Sequence, residues 1–257
     1  MDISFIGSGN LAWHLAPALD NVGYKVKEVY SQDPKHAKTL CGRLYQADAK
    51  TTLDFSDSTS EIFIIAVTDD AIRDVAQEIV LPEDAILVHT SGSQPLSLLS
   101  YAAADSVGVF YPLQTFSKAK KIDFSEIPIF IESEDSDVTK VLMKMGKSIS
   151  KKVKPISSEY RKALHVAAVF ASNFSNHMLT ISKSIADKHD IDFDVLKPLI
   201  AETLNKSINI GPEKAQTGPA KRGDMEILDR HLEFLKDDPA VAEIYRIISQ
   251  HIIDQSE

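Results

Sequence analysis

Met1-Asp2-Ile3-Ser4-Phe5-Ile6-Gly7-Ser8-Gly9-Asn10-Leu11-Ala12 is an apolar run that meets a glycine loop and then a helical pattern. Strand, G-x-G-x-x-A and helix, in that order, are what a dinucleotide pyrophosphate requires. Gly7 permits the tight turn, and Gly9 lets the backbone approach the phosphates. Ala12 is small enough for the helix to pack on the strand, and the helix N-terminus faces the anion. The motif alone is weak, and its strand-to-helix context strengthens it. The alternative is a glycine turn with no ligand.

Outward from this loop, Leu11, Leu15, Ala18, Leu19 and Val22 recur at helical spacing, with Pro17 predicting a bend and Gly23 the end. Lys25 to Ser31 alternates as a second strand, and Asp33-Pro34 opens another helix. Glu61 to Val67 is a continuous apolar run, the mark of a parallel strand buried on both faces. Thr68-Asp69-Asp70 then caps a helix over Ala71–Val80. Further strands are expected at 85–88, 107–110, 127–131 and 152–156. Strands alternating with helices imply right-handed βαβ units.

From Ser157 no strand pattern recurs. Leu164 to Ala186 and Val195 to Asn209 read as helices, the second with Pro198 in its first turn. Asp224 and Asp238 are placed to cap two more. The expected fold is α/β: a doubly wound parallel Rossmann sheet followed by an all-α C-terminal domain. Residues 1–156 are read as the dinucleotide-binding domain, and 157–257 as a helical substrate and dimerisation domain.

The 257 residues carry a formal net charge of -9, which disfavours nucleic acid and anionic membrane surfaces as partners. No apolar stretch approaches the roughly 18 residues of a membrane span. Residue 3 already reads as core strand, so no signal peptide is expected. Cys41 is the only cysteine, which excludes disulfides within the chain and argues against a cysteine-based metal site. No metal is expected, and a cytoplasmic location fits best.

The tip of the second strand reads the adenosine ribose. A carboxylate there selects NAD, and its absence with basic groups nearby tolerates the 2′-phosphate of NADP. Here the tip is Tyr30-Ser31-Gln32, with Lys35, Lys38 and Arg43 following, so NADP is favoured over NAD. Gly7, Ser8, Gly9, Asn10, Leu11, Ser31, Val67 and Thr68 are the expected cofactor contacts.

Substrate chemistry belongs beyond the carboxyl ends of the strands. The hydroxyls and backbone N–H groups of His89-Thr90-Ser91-Gly92-Ser93 suit a carboxylate or carbonyl, the alternative being a polar turn. Tyr111 to Phe116 should wall the nicotinamide side. In the first long helix, His165, Ser172 and Asn176 share a face within about 20° at about 100° per residue. His165 stands among apolar residues, where a satisfied core histidine is the competing explanation. Arg222, in Thr217-Gly218-Pro219-Ala220-Lys221-Arg222-Gly223-Asp224, suits bidentate capture of a carboxylate; a surface arginine or a partner for Asp224 is the alternative.

Five segments together resemble a known family: 7–12, 89–92, 111–116, 165–173 and 217–224. That family joins a Rossmann-like NADP-binding domain to a helical C-terminal domain of uncharacterised function. It is kin to pyrroline-carboxylate reductase and the wider 6-phosphogluconate-dehydrogenase-like superfamily. The resemblance implies that His165 takes the proton-donor role held by a Lys in related proteins. Val169 stands where those relatives carry an Asn, and Ser172 and Asn173 would substitute in part. Tyr111 and Gln32 stand where His and Arg are expected.

The resulting expectation is an NADP-dependent oxidoreductase reducing a carbonyl or imine of a small carboxylate-bearing molecule. His165, Ser172 and Asn173 would be catalytic, Ser91, Gly92 and Arg222 would bind substrate, and a homodimer would form through the helical domain. The alternatives are a non-catalytic dinucleotide-binding dimer, acting as sensor or scaffold, and a deazaflavin-dependent reductase.

Overall fold

The computed structural model describes residues 1–256, which pack as two units, one of Met1–Asn173 and one from Phe174 onward. The first holds an eight-stranded sheet. Its strands are β1 (Asp2–Ile6), β2 (Lys25–Tyr30), β3 (Asp48–Lys50), β4 (Ile62–Ile65), β5 (Ile86–His89), β6 (Ser106–Pro112), β7 (Ile129–Glu132) and β8 (Val153–Pro155). The spatial order is β3-β2-β1-β4-β5-β6-β7-β8, so the chain reverses its direction of travel between β1 and β4. That switch point is where a doubly wound sheet opens a ligand crevice.

β1 to β6 pair parallel, as expected. The structure corrects the expectation at the far edge, where β7 runs antiparallel to β6 and β8 follows β7. The reason is the connection. A parallel return needs a crossover, usually a helix. Only the short 3₁₀ turn Phe124–Glu126 lies between Pro112 and Ile129.

Helices α1 (Asn10–Asn21), α2 (Pro34–Cys41), α3 (Ile72–Glu78) and α4 (Ser136–Ile149) cover the sheet. Alternate residues of β4 enter opposite cores: Ile62 and Ile64 pack with Leu15 and Leu142, while Phe63 and Ile65 pack with Ile72 and Leu99. Each such side chain, fully buried, stabilises by roughly 1.5–3 kcal/mol. α1 continues through Pro17. Asp33 caps α2 by accepting from the Lys35 N–H at 2.8 Å.

α5 (Ser158–Ala168) belongs to this first unit, with Ser157 as its cap. Helical conformation persists through a π-helical segment, Val169–Phe174, into α6 (Ser175–Lys188). The second unit adds α7 (Lys197–Ile210), α8 (Pro212–Ala215), α9 (Pro219–Arg222), α10 (Met225–Phe234) and α11 (Pro239–Asp254). Pro198 sits in the first turn of α7, and Asp238 caps α11. Asp224 precedes α10 without a side-chain cap bond. Little of this unit is buried: Ala186, Ala220, Leu228 and Ala242 are, but α7 has no buried residue and exposes Leu199, Leu204 and Ile208. No helix among the described residues is long and apolar enough to cross a membrane.

Candidate active site

The glycine loop forms as its residue types require. Gly7 has φ of 111° and donates its N–H to the Tyr30 carbonyl at 2.8 Å. A Cβ there would lie 2.7 Å from the Ala66 carbonyl carbon and closer still to its oxygen. Only glycine satisfies both the left-handed backbone and that approach. Gly9 precedes α1 and accepts from the Trp13 N–H at 2.9 Å, while Ala12 is fully buried. The Ser8 hydroxyl bonds to that of Ser31 at 2.9 Å, tying the loop to the tip of β2.

These residues line a cavity of about 830 Å³. Gly7, Ser8, Gly9, Asn10, Leu11, Ser31, Val67 and Thr68 all face it. Its basic lining residues are His36 and Lys118, rather than Lys35, Lys38 or Arg43. Arg43 instead stacks on Trp13, 4.0 Å from the ring centre. Gln32 sits at the tip where a carboxylate would select NAD, although Asp74 and Glu78 line the cavity from α3.

A second cavity, of about 480 Å³, is walled by Tyr111, Leu113, Gln114 and Thr115 and by residues of α5 and the π segment. His165, Ser172 and Asn173 all line it; Asn176 does not. The Tyr111 hydroxyl and His165 Nδ1 are 3.1 Å apart, with the rings edge to face. Burial holds the Tyr111 hydroxyl above the usual phenol range, so it keeps its proton. A neutral imidazole meets this hydroxyl in two ways: Tyr111 O–H donates to Nδ1 with the ring proton on Nε2, or Nδ1–H donates to the hydroxyl oxygen.

Gly92 packs against this pair, whereas the Ser91 hydroxyl accepts the Ser93 and Gln94 N–H groups and closes its own turn. His89 is wholly buried. Burial first, and the Arg161 charge second, push it down to about 4, so it is neutral near pH 7 and its Nδ1 accepts from the Ser91 N–H at 3.2 Å. The Ser93 hydroxyl donates to Asp69. Arg222 lies in the second unit and forks onto Asp224, with Nε and Nη2 at 2.9 and 2.8 Å from one carboxylate oxygen.

Sequence reasoning missed Arg161 and Glu132, a buried ion pair at 2.7 Å beneath the Ser91–Gly92 turn. One signal was available. Arg161 stands one helical turn before His165, on the same face.

Residues 2–92 match the family described as NADP oxidoreductase, coenzyme F420-dependent, and residues 127–252 match a domain of unknown function, DUF2520. The crystal structure of BF3122, a candidate NADP oxidoreductase from Bacteroides fragilis, is 38% identical, with 98% of each chain covered and a TM-score of 0.90. The chain belongs to this NADP oxidoreductase family. Protein TM1727 from Thermotoga maritima shares the fold at 24% identity, over 99% of this chain and 98% of that one, with a TM-score of 0.72. A reductive aminase from Aspergillus terreus, solved with NADPH and ethyl levulinate, shares it at 13% identity, over 98% and 92%, also with a TM-score of 0.72. No curated protein matches the chain.

Proposed function

We propose that this NADP oxidoreductase reduces the C=O or C=N carbon of a small, carboxylate-bearing molecule. One observation carries the reading: His165, Ser172 and Asn173 line one cavity, and Tyr111 holds the Nδ1 of His165. The loop Gly7 to Leu11, with Ser31, Val67 and Thr68, fits a dinucleotide, because the cradle at Gly7 leaves no room for a side chain. NADPH bound there supplies a hydride for the substrate carbon.

The chain's own groups do the rest. His165, entering the step as the imidazolium, passes its Nε2 proton to the substrate oxygen or nitrogen and is left as the neutral imidazole. Ser172 and Asn173 orient that atom by hydrogen bonding. The Gln114 amide N–H₂ can hold a carboxylate, its oxygen already accepting the Thr115 N–H at 2.8 Å. Leu113, Leu164 and Val169 give the cavity apolar walls. The test follows NADPH absorbance against a panel of 2-oxo acids and cyclic imino acids, with their amides as controls. Oxidation by the acids and loss of turnover in His165→Ala support the reading. Full activity in that variant sinks it.

A deazaflavin reading has its own support, in the coenzyme F420 description matched by residues 2–92. Thermal shift with NADP, NAD and a deazaflavin separates them, and we expect NADP to raise the melting temperature most. We also infer a homodimer formed through the helical unit, from the apolar residues that α7 exposes, and a reducing, cytoplasmic setting, from the single unpaired Cys41. A monomer by light scattering would refute the first. Localisation of a tagged chain tests the second, and an extracytoplasmic signal would refute it.

A further inference from the structure

Arg161 is the bulkiest fully buried side chain among the described residues, at 0% exposure. Its guanidinium is spread over three acceptors. Nε donates to Glu132 Oε2 at 2.7 Å, and Nη1 donates to the backbone carbonyls of Ser91 and of Gly92, both at 3.0 Å. Glu132 is itself buried, and its second oxygen accepts the Ser158 hydroxyl. Only a planar guanidinium joins a carboxylate and two adjacent carbonyls in this way.

What Arg161 holds is the wall of the second cavity. A Cβ on Gly92 would fall 2.6 Å from Tyr111 Cζ and 2.8 Å from its hydroxyl, and inside contact distance of His165 Nδ1. The Gly92 backbone is therefore a stop against which both rings rest. Stability alone does not account for the pair, because replacing a buried ion pair with apolar groups is often neutral or stabilising.

We propose that Arg161, neutralised by Glu132, is a positioning residue: it clamps the Ser91 and Gly92 carbonyls and, through Gly92, sets the Tyr111–His165 hydrogen bond. The kinetic arm of its test rests on the reductase reading above, and the spectroscopic arm does not.

The test uses the whole chain with three changes: Arg161→Lys, Glu132→Gln, and the double Arg161→Met, Glu132→Leu. Measured are NADP affinity, kcat and KM, and the imidazole ¹⁵N shifts of His165. Arg161→Lys should lower kcat roughly tenfold or more, as expected when directed bonds to a charged group are lost. KM and NADP affinity should stay within about twofold, because the glycine loop is untouched. The His165 ¹⁵N shifts should move away from their wild-type values as the Tyr111–Nδ1 bond loosens. Glu132→Gln, which keeps the shape of the pair, should give a smaller change of the same kind. The double variant keeps its melting temperature yet repeats the kcat loss and the shift of the His165 ¹⁵N signals. Wild-type kcat and wild-type His165 shifts in that variant overturn the proposal. Should wild type turn over nothing in the substrate panel, the reductase reading falls and the ¹⁵N shifts still decide this one.

Discussion

The Tyr111 hydroxyl lies 3.1 Å from Nδ1 of His165, joining the end of β6 to the last turn of α5. A hydroxyl that keeps its proton can both donate and accept, so the bond fixes where the imidazole stands in either tautomer. Tyr111→Phe retains the ring and removes only that bond. We expect kcat to fall about five- to tenfold, the worth of roughly one hydrogen bond, and His165→Ala to fall further, by about 10²–10⁴. Steady-state kinetics check both, and a Phe variant as fast as wild type would show the bond to be idle.

Gly92→Ala tests the contact beneath that pair. The added methyl meets Tyr111 and His165 well inside van der Waals distance. The rings must part or the loop must move, at a cost of about 1–3 kcal/mol. The expected result is a lowered melting temperature with turnover lost and NADP binding kept. Unchanged kinetics would mean that the loop relaxes freely.

Gly7→Ala strikes the other cavity. It places an L side chain at φ of 111° and drives it into the Ala66 carbonyl. NADP affinity should collapse, read by fluorescence titration, and the melting temperature should drop. Retained affinity would remove the glycine loop from the cofactor site.

Gln32→Asp puts a carboxylate at the tip of β2. It should accept from a free ribose 2′-hydroxyl and repel a 2′-phosphate. The NADP to NAD ratio of kcat/KM should fall at least about tenfold, or roughly 1.4 kcal/mol. A ratio that does not move would place 2′-phosphate recognition elsewhere, with His36 and Lys118 the next to change.

His89 makes a pH prediction. Its folded value is pushed from 6.5 to about 4, so the unfolded chain binds the extra proton first as pH falls. Its contribution is fully present above pH 6.5 and is lost between there and about 4, up to about 3 kcal/mol. Denaturant unfolding at pH 7 and pH 4.5 reads this. His89→Gln should flatten the slope, and a slope unaltered by that change would assign the acid sensitivity to other groups.

Much of this was legible in the chain. The Gly7 loop, the apolar run at β4 and the caps at Asp33 and Asp238 are local signals, and local physics decides them. His165, Ser172 and Asn173 came together because one helical stretch carries all three. The reversal of β7 was missed because strand direction depends on a connection, not on a pattern. Arg161 and Glu132 were missed because a buried ion pair is written in two places 29 residues apart, and each half alone reads as surface charge. β3 has only three residues, too few for periodicity to register.

The reversed strand β7 also governs how the unit assembles. Its last residue, Glu132, comes level with Val109 of β6, and only there can it meet Arg161. Until β7 has docked, α5 would carry a bare guanidinium into an apolar interior, which is strongly unfavourable. Half-docked forms of α5 are therefore disfavoured, and the helix bearing His165 should open and close as one cooperative piece with the sheet edge. Slow amide exchange would then begin and end together in α5 and β7, making the strand next to the sheet edge the latch on the His165 cavity.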